Sequence, residues 1–243
     1  MRILAVDTSS KNCSVAIVEV DKNKNFNVLV EKNNGDEKTH SQKLMPIIDE
    51  ALREQSLSLD DINLLACCLG PGSFTGIRIG IATVKAFADA KNIPTVGVTS
   101  LESLAYNVVQ NSIIFPIIDC KNDNVYSALF LFNDNTYSQI GNNIAENINT
   151  VLNDFSDLCE DAEISTITFV GDGSILYHGL IEKKFADYKI IFSDNNTQSS
   201  VSLAKCAYEK YLNGLYGDSN YISPLYLRKS QAERAKDGEK WFC

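Results

Sequence analysis

The chain runs through one order of elements twice, and that repetition narrows its fold more than any single motif. By hydrophobic periodicity, residues 2–7 and 13–20 are strands joined by a polar turn at 8–12, and 26–30 alternates as a third strand after a second polar turn. A helix follows at 41–54, where Leu44, Ile47, Ile48, Ala51 and Leu52 share one face and Pro46 predicts a kink near the start. After the polar Asp60-Asp61 connection come a strand at 64–69, a helix from about 74 to 90, a strand at 95–99 and a short helix from 100 to about 109. The second half restarts with strands at 113–120 and 125–132, joined by a turn at 121–124, and a weaker strand at 137–140. It continues with a helix at about 150–159, a strand at 166–170, a glycine turn at 171–173 with a helix to about 185, a strand at 189–192 and a helix at 199–212.

Strand, strand, strand, helix, strand, helix, strand, helix therefore occurs in each half, which predicts a duplicated α/β fold with two mixed sheets flanked by helices. Local details agree with the repeat. Asp7 and Asp119 each end a first strand, and each is followed nine residues later by an alanine, Ala16 and Ala128. Gly70-Pro71-Gly72-Ser73 and Gly171-Asp172-Gly173-Ser174 each follow an apolar strand. The expected division is a first lobe at 1–110, a second at 111–230 and a tail at 231–243.

Composition excludes several functions. At 243 residues, with 44% hydrophobic and 22% charged residues, the chain is an ordinary globular protein of one large or two small domains. No apolar run has the length of a membrane span, and a strand starts at Arg2 where a leader peptide would need a longer apolar core, so a cytoplasmic protein without membrane contact is expected. A net charge of −9 argues against gripping nucleic acid unaided. Seven cysteines are an odd count, and Cys13, Cys67 and Cys68 lie inside apolar strands, as small buried hydrophobes in a reducing compartment do. No Cys-x-x-Cys pair occurs, and the two histidines, His40 and His178, are far apart, so no zinc site is expected.

The stretch from Leu69 to Gly80 admits two readings. A glycine-rich turn between a strand and a helix N-terminus can cradle a phosphate, because free N–H groups and the helix dipole both favour an anion. With Asp7 holding a metal, the candidate nucleotide or phosphate contacts are Asp7, Thr8, Ser9, Gly70 and Gly72, as in an ATP-dependent small-molecule kinase or a nucleotide hydrolase. Yet no Gly-Lys-Ser/Thr follows either glycine turn, the dinucleotide spacing is absent, and the Asp7 turn has no glycine. No Gly-x-Ser-x-Gly elbow or Ser/His/Asp set is present, and the carboxylates are scattered. On the plainer reading the glycines only shape a turn. The helix behind them is apolar nearly all round: Ile77, Ile81, Val84 and Ala88 form one face, and Gly76, Gly80, Thr83 and Phe87 another. Such a helix needs a second covering layer, and glycines four apart let another helix approach closely.

These residues also resemble the TsaB (YeaZ) family of the bacterial machinery that makes threonylcarbamoyladenosine in tRNA, at the adenosine next to the anticodon. The matching stretches are Ile3 to Ser9, His40-Ser41-Gln42 with Met45 to Asp49, Gly70 to Gly80, Thr99-Ser100-Leu101, and Pro224 to Arg228. The resemblance implies a duplicated actin-like (ASKHA, ribonuclease-H-like) fold and a non-catalytic scaffold subunit. It implies pairing with the catalytic relative TsaD, as a heterodimer, through the helices after His40 and Gly72, with the TsaE ATPase as a further partner. The implied interface is Leu44, Met45, Ile48, Leu52, Gly76, Gly80, Ile81, Thr83, Val84 and Phe87, and the same helices would serve a homodimer. It implies no metal or cofactor in this chain, leaving ATP or ADP, and tRNA contact, to the assembled complex. The two metal-holding histidines of TsaD have no counterpart between Ser100 and Val109, and no zinc-protease motif supports the older glycoprotease label. The second hairpin, Ile118-Asp119-Cys120-Lys121-Asn122, departs from the Asp-Ala-Arg start of relatives, and Trp241 and Phe242 sit in a tail without a counterpart.

Overall fold

The computed structural model describes residues 1–34, 40–161 and 166–228. The first half builds a five-stranded sheet in the order β3-β2-β1-β4-β5, from β1 (Arg2–Asp7), β2 (Cys13–Val20), β3 (Phe26–Asn34), β4 (Leu64–Cys68) and β5 (Thr95–Val98). The second half repeats it as β8-β7-β6-β9-β10, from β6 (Ser112–Asp119), β7 (Asn124–Asn133), β8 (Thr136–Asn147), β9 (Thr166–Val170) and β10 (Lys189–Phe192). In both sheets the first three strands form an antiparallel meander and the last two join parallel to the first strand. This is the duplicated α/β architecture of two mixed sheets flanked by helices that the repeated element order predicts.

Period-two alternation assigns each strand's residues to two cores. On one face of the first sheet, Leu4, Val6, Val15, Ile17, Leu65 and Cys67 pack under α1 (His40–Glu54) and α2 (Phe74–Lys91), which contribute Leu44, Ile48, Ala51, Ile77, Ile81 and Val84. On the other face, Ile3, Ala5, Ala16, Val18, Leu64 and Ala66 meet Leu203, Ala204 and Ala207 of α7 (Ser200–Leu212). In the second sheet, Phe115, Ile117, Ile167 and Phe169 pack with Val151, Leu152 and Phe155 of α4 (Ile148–Asp161) and Ile181 of α6 (His178–Lys184). Its opposite face, with Ile114, Ile118 and Phe130, is covered by Leu101, Leu104 and Ala105 of α3 (Ser100–Ala105).

The last helix of each half thus crosses over: α3 covers the second sheet and α7 covers the first. The two helices meet between the sheets, where Lys210 Nζ bonds Glu102 Oε2 at 2.8 Å and the Gly97 carbonyl at 3.0 Å. Beyond α7, the Gly217 N–H and carbonyl pair with Thr95 and Ile222 enters the first core. The division at residue 110 follows element order; the packing returns residues 200–222 to the first sheet.

Several boundaries differ from the periodicity. β3 runs to Asn34 and β8 spans 12 residues, because these edge strands are paired on one side only and carry polar residues without regular alternation. α3 stops at Ala105 rather than near 109. The helix expected up to 185 is two pieces, α5 (Asp172–Leu176) and α6, broken at Tyr177 (φ −103°, ψ 19°). Helix α1 continues through Pro46 without interruption. The tail lies outside the described residues.

Candidate functional site

The glycine stretch and the first hairpin turn, distant in sequence, form one packed unit. β1 carries Asp7 to the end of its strand, and the turn that follows lies under the start of α2. Asp7, Thr8 and Ser9 are 1%, 1% and 3% exposed. Within the turn, the Asp7 carboxylate accepts from the Ser9 amide at 2.8 Å and the Ser9 hydroxyl at 2.7 Å. The Thr8 hydroxyl donates to the Gly76 carbonyl at 2.7 Å. The Ser9 carbonyl accepts from the Ser73 amide at 2.7 Å, and the Ser73 hydroxyl caps α2 by accepting from the Gly76 amide at 3.2 Å.

The glycines serve this closure. A Cβ on Gly72 would strike the Ser9 carbonyl, one on Gly76 the Thr8 carbonyl, and one on Gly80 the Thr8 hydroxyl. Gly70, preceding Pro71 through a cis peptide, has φ +95°, a region that favours glycine. The structure therefore brings the five candidate phosphate contacts together, but the chain's own turn fills the space. At Ser73 the amide that would meet an anion is taken by the Ser9 carbonyl.

A strap of chain lies over the same turn. The Leu225 amide donates to the Leu69 carbonyl at 2.8 Å, the Tyr226 ring stacks on Phe74 with centroids 4.7 Å apart, and Arg78 Nε donates to the Tyr226 hydroxyl at 2.6 Å. Leu227 then joins the second lobe's core, and the Arg228 guanidinium reaches Cys120 Sγ at 3.2 Å. The stretch 222–228 ties the first lobe to the second hairpin. In that second lobe, Asp119 pairs with Lys121 at 2.7 Å, and its amide donates to Asp172 Oδ1 at 3.1 Å. Burial, with Asp119 nearby, raises the Asp172 carboxyl above its usual range. Among the described residues, no three His, Cys, Asp or Glu side chains are grouped to hold a metal.

The interface residues expected from the resemblance divide sharply. Leu44, Ile48, Ile81 and Val84 are 1%, 1%, 4% and 0% exposed, and Leu52, Gly76 and Gly80 are buried too. Within this chain these seven make internal contacts: the aliphatic ones pack on the first sheet, and the two glycines lie against Thr8. Met45 is half exposed, and Thr83 and Phe87 are half-buried. The outward stripe of α2 shares only Thr83 and Phe87 with the expected face and is turned about a quarter of a turn from it. It comprises exposed Ala82 and Ala86 with half-buried Ile79, Thr83 and Phe87, the Ile79 and Phe87 side chains resting partly on the first core; on α1, Met45 and Pro46 are exposed. Ala82 and Ala86, exposed and four apart on either side of Lys85, are the signal the sequence held: small residues between the larger ones at 81, 84 and 87. Arg78 and Tyr226 were missed because their partnership spans 148 residues.

Comparisons with known proteins agree with this architecture. A family model described as TsaD: tRNA N6-adenosine threonylcarbamoyltransferase matches residues 34–236. The chain is 29% identical over 236 residues to the tRNA threonylcarbamoyladenosine biosynthesis protein TsaB of Bacillus subtilis, covering 96% of each chain. It is 34% identical over 139 residues to the protein of that name from Escherichia coli, covering 56% of this chain and 57% of that one. The solved structure of YeaZ from Pseudomonas aeruginosa superposes with a TM-score of 0.74 at 21% identity, over 93% of this chain and 99% of that one. Another solved structure from that organism, described as an uncharacterized protein with similarity to peptidase YEAZ, has the same TM-score at 22% identity and the same coverage. The chain belongs to the family of that TsaD model, on the side of its TsaB (YeaZ) members.

Proposed function

We propose that this chain is a non-catalytic subunit of the cytoplasmic machinery that forms threonylcarbamoyladenosine in tRNA, and that it docks on and supports the catalytic, TsaD-type subunit. The names of its relatives support the pathway. The observation that carries the docking role is the uncovered side of α2, where exposed Ala82 and Ala86 lie among half-buried Ile79, Thr83 and Phe87, together with half-exposed Met45 on α1. Two helices of a partner laid against α1 and α2 would cover this stripe, and the alanines let the backbones approach closely. The filled hairpin turn supports a scaffold rather than a kinase or hydrolase role, and the net charge of −9 suits a subunit that leaves the tRNA to its partners. A TsaE-type ATPase would join the assembled complex rather than this chain's own cradle.

The test is co-purification with the catalytic relative. Replacing exposed Ala86 with Glu should abolish the complex while the isolated chain keeps its unfolding temperature. Undiminished affinity would sink the docking assignment. Sedimentation of the free chain shows whether the same face pairs with a second copy, in which case Ala86→Glu should give a monomer. Titration calorimetry with Mg-ATP separates the scaffold from the kinase reading, and binding with turnover by this chain alone would overturn the proposal.

A further inference from the structure

The strap that passes from the first lobe to the second is short, and its consecutive side chains go to different lobes. Ile222 is buried in the first core, and from there to Arg228 the backbone forms neither helix nor strand. The Leu225 amide bonds the Leu69 carbonyl, and a Cβ on Gly70 would lie 3.2 Å from the Leu225 carbonyl, so the glycine turn carries the strap at close range. The next three side chains then part. Tyr226 goes to Phe74 and Arg78 of the first lobe, while Leu227 enters the second lobe's core and Arg228 reaches Cys120. The two residues from Tyr226 to Arg228 span at most about 7 Å of chain, so neither end has slack to move while the other stays seated.

The first-lobe end of the strap lies on the uncovered side of α2. Phe74, Arg78, Ala82 and Ala86 follow at four-residue spacing and form one row along the helix. Arg78, Ala82 and Ala86 are exposed. Tyr226, itself 41% exposed, sits at the N-terminal end of that row, its ring stacked on Phe74 and 5.5 Å from the Arg78 guanidinium carbon.

We propose that residues 225–228 work as one clasp, seated or released at both ends together, which links the exposed row of α2 to the second lobe. Resting on the docking reading above for its partner, the clasp is held seated by a helix of the catalytic subunit that lies along Ala82 and Ala86 and reaches Arg78 and Tyr226. Linkage is reciprocal, so a seated clasp raises the affinity of the row for that helix by the same factor. Occupancy of a first-lobe helix is thereby felt at the second hairpin, where Arg228 lies on Cys120.

Hydrogen exchange at the Leu225 amide reads the clasp in the full chain without any partner. Arg78→Ala loosens the first-lobe end, and Arg228→Ala loosens the second-lobe end. Each should speed that exchange several-fold while the amides of β4 and β6 keep their native protection. Leu227→Asp, at the second-lobe end, should act as Arg228→Ala does. In the variant carrying both arginine changes the two factors should multiply, since one opening breaks both contacts. Leu225 exchange unmoved by Arg228→Ala and by Leu227→Asp means that the two ends open separately and overturns the proposal. With the catalytic relative added, Leu225 exchange in the native chain should slow, and Arg228→Ala, on the second hairpin, should weaken docking several-fold. Undiminished affinity in that variant overturns the link to the row. Failure of docking itself is read separately, by Ala86→Glu, and leaves the exchange result on the isolated chain standing.

Discussion

The Thr8 hydroxyl and the Gly76 carbonyl meet at 2.7 Å across 68 residues of chain, joining the first hairpin turn to the first turn of α2. That bond explains the glycines after it, since any side chain at Gly76 or Gly80 would occupy the place of Thr8. A stretch with the outward form of a phosphate cradle is a latch between a hairpin and a helix.

Gly80→Ala should therefore destabilise the isolated chain, whatever its partner. The added methyl forces the Thr8 side chain out of a buried site, an overpacking cost of about 1–3 kcal/mol. Thr8→Ala in the same background should recover part of the loss, because it vacates the space; its own cost, the lost buried hydrogen bond, is about 1–2 kcal/mol. Chemical denaturation of the four proteins of this cycle reads the coupling. Additive losses would show that Gly80 and Thr8 are independent.

Charge on the two faces of α2 should have opposite readouts. Ile81→Glu places a carboxylate in the first core, where the residue is 4% exposed, and should cost several kcal/mol, on the order of 3 or more, and leave little folded protein. Ala82→Glu, exposed on the outward stripe, should leave the melting temperature within a degree or two of the native one and remove partner binding. Equal melting temperatures for the two variants would mean that the helix is rotated from the orientation described.

Lys210 bridges the two crossing helices and is 24% exposed at its side chain, with Glu102 at 15%. Lys210→Met keeps the aliphatic stem but leaves Glu102 and the Gly97 carbonyl without their cation. The expected loss is about 1–3 kcal/mol, below the figure for a fully buried pair because both groups touch water. Adding Glu102→Gln should restore part of it. Differential scanning calorimetry of the single and double variants measures the recovery.

Thiol chemistry should separate Cys120 from the cysteines of the cores. Burial raises the Cys13 and Cys159 thiols to about 11 and pushes Cys67, Cys68 and Cys206 higher still. A raised thiol pKa keeps the unreactive protonated form dominant below it, so these five should resist alkylation from neutral pH up to about pH 9 while the fold holds. Cys120, half-buried beside the Arg228 guanidinium, should be modified first among the described cysteines. Peptide mapping after iodoacetamide treatment checks the order, and early modification of Cys67 would contradict the packing of β4.

The strands of both cores were legible because burial imposes local patterns: Ile3 to Val6 and Val15 to Val18 are apolar at every position when helices cover both faces. The repeated order of elements was enough to reach the duplicated architecture. The orientation of α2 was not legible, since a helix apolar all round carries no local mark of which side meets the sheet. The sheet, Thr8 and α1 decide that together. The length of β8 was hidden by Gln139, Asn142 and Asn143, polar residues that an edge strand tolerates. The strap at Leu225 to Arg228 was visible as a matching stretch, but its work, stacking on Phe74 and reaching Cys120, depends on partners more than a hundred residues away.

The exchange of α3 and α7 between the sheets has a consequence for synthesis on the ribosome. When β5 emerges, the first sheet has all its strands, yet the face bearing Ile3, Ala5, Val18 and Leu64 stays bare until Leu203 and Ala207 arrive over a hundred residues later. For a long interval of translation the nascent chain offers chaperones a wet apolar sheet, and the first lobe becomes a closed body only once the second has been made.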